Sequence, residues 1–202
     1  MTQVTWVNDG TIKSNATAYG GNYPGFASSY KNSNYAVAFS IEAGRNSARL
    51  ENNGRMDLYA VNHTENTGLY EYAIGLEMYS SASALINRGT MDIQALEAYT
   101  YGIWMSNLTD DATLQNFGDI SIVVTTCGLE TQSNGPSQAT GINLDFSNSE
   151  TNPAVYETQL ILESGSRLDI SAAPSDRITD EEWAFFIYYQ CCTCLLYTSR
   201  CV

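Results

Sequence analysis

Positive charge is scarce in this chain. Nine Lys and Arg stand against 22 Asp and Glu in 202 residues, a formal net charge of −13. Neutralising phosphate takes clustered Lys and Arg, so the balance argues against a nucleic-acid partner. Histidine occurs once, as His63, which rules out a paired-His zinc motif. No Gly-x-Ser-x-Gly elbow and no phosphate-binding loop occur. No apolar run approaches the roughly 18 residues that a membrane helix needs. The opening Met1-Thr2-Gln3-Val4-Thr5-Trp6 lacks the basic region and apolar core of a secretory signal.

Cysteine is nearly missing until the end of the chain. Of five, four lie in the last twelve residues, as Cys191, Cys192, Cys194 and Cys201. They do not make a metal site: no His is near, and no second pair stands at zinc-finger spacing. The run Cys194-Leu195-Leu196-Tyr197-Thr198-Ser199 back-translates as TGT CTC TTA TAC ACA TCT, which resembles the mosaic end of a transposon-based sequencing adapter. Arg200-Cys201-Val202 back-translates to the start of the same element inverted. Residues 194–202 are therefore expected to be a non-native tail, and Cys191 and Cys192 adjoin its junction. Cys127 remains, after Ile122-Val123-Val124, and reads as a small buried or edge residue. A nucleophilic role would need His63 as its base, and His63 falls in a polar loop.

What the chain does have is a repeat. The pattern apolar-x-Asn-x-Gly-x-apolar-x-apolar appears as Leu50…Asn52…Gly54…Met56…Leu58. It recurs as Leu85…Asn87…Gly89…Met91…Ile93 and Leu114…Asn116…Gly118…Ile120…Ile122. A weaker first copy is Trp6…Asn8…Gly10…Ile12, and a degenerate last one is Leu162…Ser164…Ser166…Leu168…Ile170. Repeats of this kind decide a fold before any other signal does. Asn and Gly both accept left-handed backbone, so each copy is expected to hold a turn of that kind. The alternation after Gly is the two-residue period of a half-buried strand.

A second element precedes most copies: Tyr35–Ile41, Tyr72–Met78, Tyr101–Met105 and Thr140–Phe146. Each repeat thus carries at least two short strands, with no helical spacer. That order predicts an all-β chain, a parallel β-solenoid whose rungs pair about 4.8 Å apart. Asn8, Asn52, Asn87 and Asn116 would then stack in a ladder at one corner. A β-sandwich is the alternative, and it offers no reason for the signature to recur.

These Asn-x-Gly copies, alternating with Tyr/Ala-x-Gly strands, resemble the passenger region of bacterial autotransporter proteins over about residues 8–171. The resemblance implies a right-handed parallel β-helix, secreted and exposed at the bacterial cell surface. It implies attachment to the outer membrane only through a C-terminal barrel absent from this sequence, which would make the chain an internal fragment. It is specific for architecture and not for one activity, since passengers include adhesins, proteases and lipases. With no catalytic motif in the chain, a structural or adhesive, non-catalytic role as an adhesin-like segment is expected, with host glycan or a surface protein as partner. Solenoid repeats are expected over 1–171. Residues 172–193 are left open between a strand and a short helix, because Thr179-Asp180-Glu181-Glu182 resembles a helix start ahead of the apolar Trp183–Tyr189.

Candidate chemistry is thin. One outward position after the anchor Gly collects Lys13, Asp57, Asp92, Ser121 and Asp169. Stacked Asp57 and Asp92 would approach the about 5–5.5 Å separation of a retaining glycosidase, which keeps a carbohydrate-active enzyme as the alternative reading. Like charges that close repel, and an outward Asp is also the ordinary means of wetting a face. Asp110-Asp111 reads as a solvated turn, since a hard cation needs several convergent oxygens. Tyr19, Tyr23, Phe26 and Tyr30 form an aromatic cluster, read as core or end filling before sugar stacking. The excursions 125–139 and 147–153 would project from one face. Residues 60–71 read as a polar surface loop. Sequons at Asn15, Asn62 and Asn107 matter only in a eukaryotic secretory route. No catalytic, cofactor-binding or metal-binding residue is assigned.

Overall fold

A computed structural model describes residues 2–18, 34–63, 71–97, 99–109, 111–126, 138–146, 156–174, 183–190 and 194–198. The described residues form strands and no helix. In chain order these are β1 (Gln3–Asn8), β2 (Thr11–Ala18), β3 (Asn34–Asn52), β4 (Arg55–Asn62), β5 (Glu71–Asn87), β6 (Thr90–Leu96) and β7 (Tyr99–Leu108). They continue as β8 (Ala112–Asn116), β9 (Asp119–Thr126), β10 (Gln138–Phe146), β11 (Tyr156–Leu162), β12 (Arg167–Pro174), β13 (Trp183–Gln190) and β14 (Cys194–Thr198). They assemble into two sheets, and each pairing is parallel. The described strands therefore do not build a sandwich of antiparallel hairpins.

The five-stranded sheet runs β2-β4-β6-β9-β12, one strand from each repeat. Its register carries no slip. Ile12, Met56, Met91, Ile120 and Leu168 occupy one column. Two residues on, Ser14, Leu58, Ile93, Ile122 and Ile170 occupy the next, and Ala16, Ala60, Ala95, Val124 and Ala172 a third. Alternate residues of a strand face opposite sides, so these columns point inward while their neighbours stay wet. Met56, Met91 and Ile93 are buried completely or nearly so. Each such side chain contributes about 1.5–3 kcal/mol by leaving water.

The other sheet has nine strands, and β3 and β5 each supply it twice over. The first half of β5 pairs with β7 (Tyr72↔Tyr99 to Tyr79↔Ser106), and its last residues pair with β8 (Ser83↔Ala112 to Asn87↔Asn116). Left-handed backbone marks the bend within β3, where Gly44 has φ +61°, and the end of β7, where Asn107 has φ +61°. Inside, Leu50, Leu85 and Leu114 form a column, as do Ile41, Met78 and Met105.

The anchor glycines do something other than the sequence pattern predicts. Gly54, Gly89 and Gly118 are not left-handed; among the described glycines only Gly44 and Gly165 have positive φ. The reason for Gly is space. A Cβ on Gly54 would lie 2.0 Å from the Gly10 carbonyl oxygen, and one on Gly89 would lie 1.8 Å from that of Gly54. A second column, Gly75 and Gly102, faces inward. There a Cβ would meet Ile93 Cγ2 or Ile122 Cγ2 at 2.2 Å, so these glycines let the two sheets close together.

The asparagines stack as the repeat predicts. Asn8 Nδ2 donates to Asn52 Oδ1 at 2.8 Å, Asn52 to Asn87 at 2.7 Å, and Asn87 to Asn116 at 2.8 Å. The same amides reach the backbone carbonyls of Arg55, Thr90 and Asp119 at 3.1 Å. Each is almost or entirely buried. An amide supplies two donors and an acceptor with two lone pairs, which is why a buried column can be built from it.

The last repeat departs from the sequence alignment. Leu160, not Leu162, lies in register with Leu114, and Leu162 lies opposite Asn116. The turn to β12 is longer, with Gly165 at φ +86° and the Ser166 amide donating to the Glu163 carbonyl. Ser164 consequently does not occupy an asparagine position. Arg167 N still donates to Gly118 O, so the register is recovered at β12. One further expectation changes, and one open alternative closes. Ala60, Val61 and Asn62 belong to β4 and are buried, so that loop cannot begin at residue 60. Trp183–Gln190 is a strand beside β10, while Thr179–Glu182 lies outside the described residues. Cys194–Thr198, within the tail expected to be non-native, runs along β11.

Candidate functional site

The outward row on the five-stranded sheet forms as its spacing predicts. Lys13 pairs with Asp57, Asp57 with Asp92, Asp92 with Ser121, and Ser121 with Asp169. Two residues further along each strand, Asn15, Tyr59, Gln94 and Val123 form the adjacent outward row. Together with Arg55, the first row from Lys13 to Ser121 and the whole of the second line an open groove of about 300 Å³.

Arg55 decides the electrostatics of this face. Its Nε donates to Asp57 Oδ1 and its Nη2 to Asp92 Oδ2, each at 2.7 Å. Lys13 Nζ stands 3.8 Å from Asp57 Oδ2. One guanidinium thus bridges two strands and removes the like-charge repulsion that stacking two aspartates would create. The same contact engages both carboxylates that a glycosidase would use as its acid and its nucleophile or base. Arg55 did not figure among the sequence candidates. Its signal was parity: it stands two residues before Asp57, on the same face of β4. The same spacing pairs Arg167 with Asp169.

A second feature, an aromatic ladder running from exposed Tyr35 to buried Tyr101, lies on β3, β5 and β7. Tyr35 stacks on Tyr72 at 4.9 Å between centroids, Tyr72 lies 5.9 Å from Trp104, and Tyr101 lies 5.0 Å from Trp104. These rings are nearly parallel and present faces to one another, so the ladder is a cross-strand stabiliser. Glu77 lies in register with Trp104 and accepts from Ser40 Oγ at 3.2 Å. Its pKa is raised by burial and by the charge of Glu42, against the lowering effect of Ser40. Burial likewise raises Asp145. Trp104 Nε1 and Asn143 Oδ1, on neighbouring strands, are buried with no hydrogen-bond partner among the described residues.

His63 is exposed and its Nδ1 lies 2.6 Å from Glu97 Oε2, an ion pair whenever the ring is protonated. Glu97 sits at φ +62°. Cys127, the postulated partner of His63, lies outside the described residues. So do Asp110, Tyr19, Tyr23, Phe26, Tyr30, most of 125–139 and all of 147–153. Asp111 is exposed, and its carbonyl accepts from Ser83 N at 3.3 Å. Among the sequons, Asn15 is exposed in the groove and Asn62 is buried. Asn107 takes the left-handed corner. Among the described residues no group of three or more His, Cys, Asp or Glu is placed to hold a metal ion. None holds a helix long and apolar enough to cross a membrane.

No family model, curated protein or solved structure matches this chain. The described residues define an all-β class of protein with two parallel sheets, repeated asparagine and glycine columns, and a charge-compensated outer groove.

Proposed function

We propose that the chain is a segment of a right-handed parallel β-helix that serves as a structural and adhesive, non-catalytic part of a bacterial cell-surface protein. Its relation to autotransporter passengers belongs to the same proposal. The observation that carries it is the asparagine column, four buried amides joined strand to strand. Such a column extends by adding identical repeats, and a stack of that kind presents long flat outer faces suited to contact. The Arg55 bridge supports the non-catalytic reading over a carbohydrate-active enzyme, because both carboxylates are already engaged.

The test joins display and turnover. The chain, fused to an outer-membrane barrel on a non-adherent bacterium, is expected to confer attachment to glycan-coated surfaces. The purified chain is expected to release no reducing ends from polysaccharide. Sugar release that disappears in Asp57→Asn or Asp92→Asn would overturn the reading in favour of the enzyme.

A further inference from the structure

We infer that the groove over β2, β4, β6 and β9 is a binding site for a neutral oligosaccharide, held across the strands. This deepens the adhesive reading above and rests on it for the biological setting. The argument starts from charge. The chain carries −13 overall, yet within the groove Lys13 and Arg55 balance Asp57 and Asp92. A polyanion would be repelled by the rest of the molecule, and a cation gains nothing from carboxylates already paired. A neutral ligand is free of both penalties.

The lining then selects the kind of neutral ligand. Asn15, Gln94, Ser121 and the Tyr59 phenol offer donors and acceptors side by side. A hydroxyl both donates and accepts, so a polyhydroxylated chain can satisfy such a surface at many points. The groups also form a grid, with rungs about 4.8 Å apart and successive outward residues about 6.7 Å apart along a strand. Extended glycan chains repeat their hydroxyls on that scale.

Tyr59 supplies the apolar contact. The rings of the β3-β5-β7 ladder stack on one another, but Tyr59 has no aromatic neighbour among the described residues. Its column neighbours are Asn15 and Gln94. A half-buried ring between two amides, lining an open groove, is available to a sugar ring as the ladder is not.

The test is affinity electrophoresis of the full chain in native gels. The gels contain hydroxyethyl cellulose, laminarin or galactomannan as neutral probes, polygalacturonate as the anionic one, or no polysaccharide. Retardation is expected in at least one neutral gel and not in polygalacturonate. Tyr59→Ala and Gln94→Ala should each weaken it at least five-fold with unchanged far-UV circular dichroism, while Thr113→Val on the other sheet leaves it intact. A double Asn15→Lys, Gln94→Lys variant should gain retardation by polygalacturonate, which keeps the assignment testable if the alanine variants misfold. Wild type that runs equally in all gels, or is retarded only by polygalacturonate, overturns the groove assignment. So does retardation that both alanine variants retain. If the displayed chain still attaches to surfaces in that event, the adhesive reading stands without this site. Reducing ends released from a neutral probe would instead sink the non-catalytic reading and leave the groove in place.

Discussion

Leu162 lies beside Asn116, at the place where three earlier pairings set one asparagine on another. The column therefore ends at Asn116, whose Nδ2 turns to the Arg167 carbonyl at 2.9 Å. Removing an amide from the middle should cost more than removing one from the end. Asn87→Ala strips the acceptor from Asn52, the donor from Asn116, and the bonds to Gly89 O and Asp119 O. Unsatisfied buried groups cost about 1–3 kcal/mol apiece, so a loss of about 3 kcal/mol is expected in urea titration. Leu162→Asn, at a residue that is 38% exposed, should change stability by less than about 1 kcal/mol. A Leu162→Asn variant as damaged as Asn87→Ala would show that the column is not what holds the corner.

The repeat could be read from sequence because its two causes are both local. An asparagine needs a partner on the next strand, and a two-residue alternation needs a buried side, so Asn52, Asn87 and Met91 announce themselves. The groove's outward row followed from the same parity. What the sequence could not show was the reason for the glycines, since contact between Gly89 and the Gly54 carbonyl exists only once the strands are stacked. The extra residues of the 163–166 turn were likewise hidden, because Ser164 and Ser166 mimic the spacing of the true motif while Leu160 takes the leucine position. Arg55 was missed for a related reason: an outward arginine reads as a solvated charge until the strand carrying Asp92 lies beside it.

Glycine substitution separates the steric account from the conformational one. Gly89→Ala would drive a Cβ into the Gly54 carbonyl oxygen, against backbone that cannot swing aside. A cost of about 3 kcal/mol or more is expected, with loss of the cooperative thermal transition in the worst case. Gly10 has nothing within 4 Å of the same position, so Gly10→Ala should be nearly neutral. Equal damage at the two positions would point to backbone freedom and away from close stacking.

Arg55→Met keeps an unbranched apolar stem, though a shorter one, and removes the bridge between Asp57 and Asp92. These groups are 53%, 26% and 39% exposed, so solvent screens them and the contribution is modest, about 1 kcal/mol for the pair of contacts. The variant also leaves two carboxylates facing each other, which salt should relieve. The stability gap to wild type is expected to shrink between low salt and 1 M NaCl, where the screening length is about 3 Å. A gap that is unchanged by salt would mean that the methylene stem, and not the charge, is what Arg55 contributes.

Glu77 gives the protein a pH dependence opposite to that of a salt-bridged carboxylate. Burial and the nearby Glu42 raise its pKa above the ordinary 4.5, so the folded state holds this proton more tightly than the unfolded chain does. In the window above the ordinary value the native state binds more protons, and stability falls as pH rises through it. Asp145 acts in the same direction through burial. Both contributions are fully favourable only in acid and are lost by neutrality. Glu77→Gln, which keeps the shape and abolishes the charge, should therefore melt above wild type at pH 7, and the difference should close as pH falls below about 4.5. Scanning calorimetry across that range checks it. A gap that instead widens on acidification would mean that the ionised carboxylate is the form the fold prefers, with the Ser40 hydrogen bond outweighing the cost of burial.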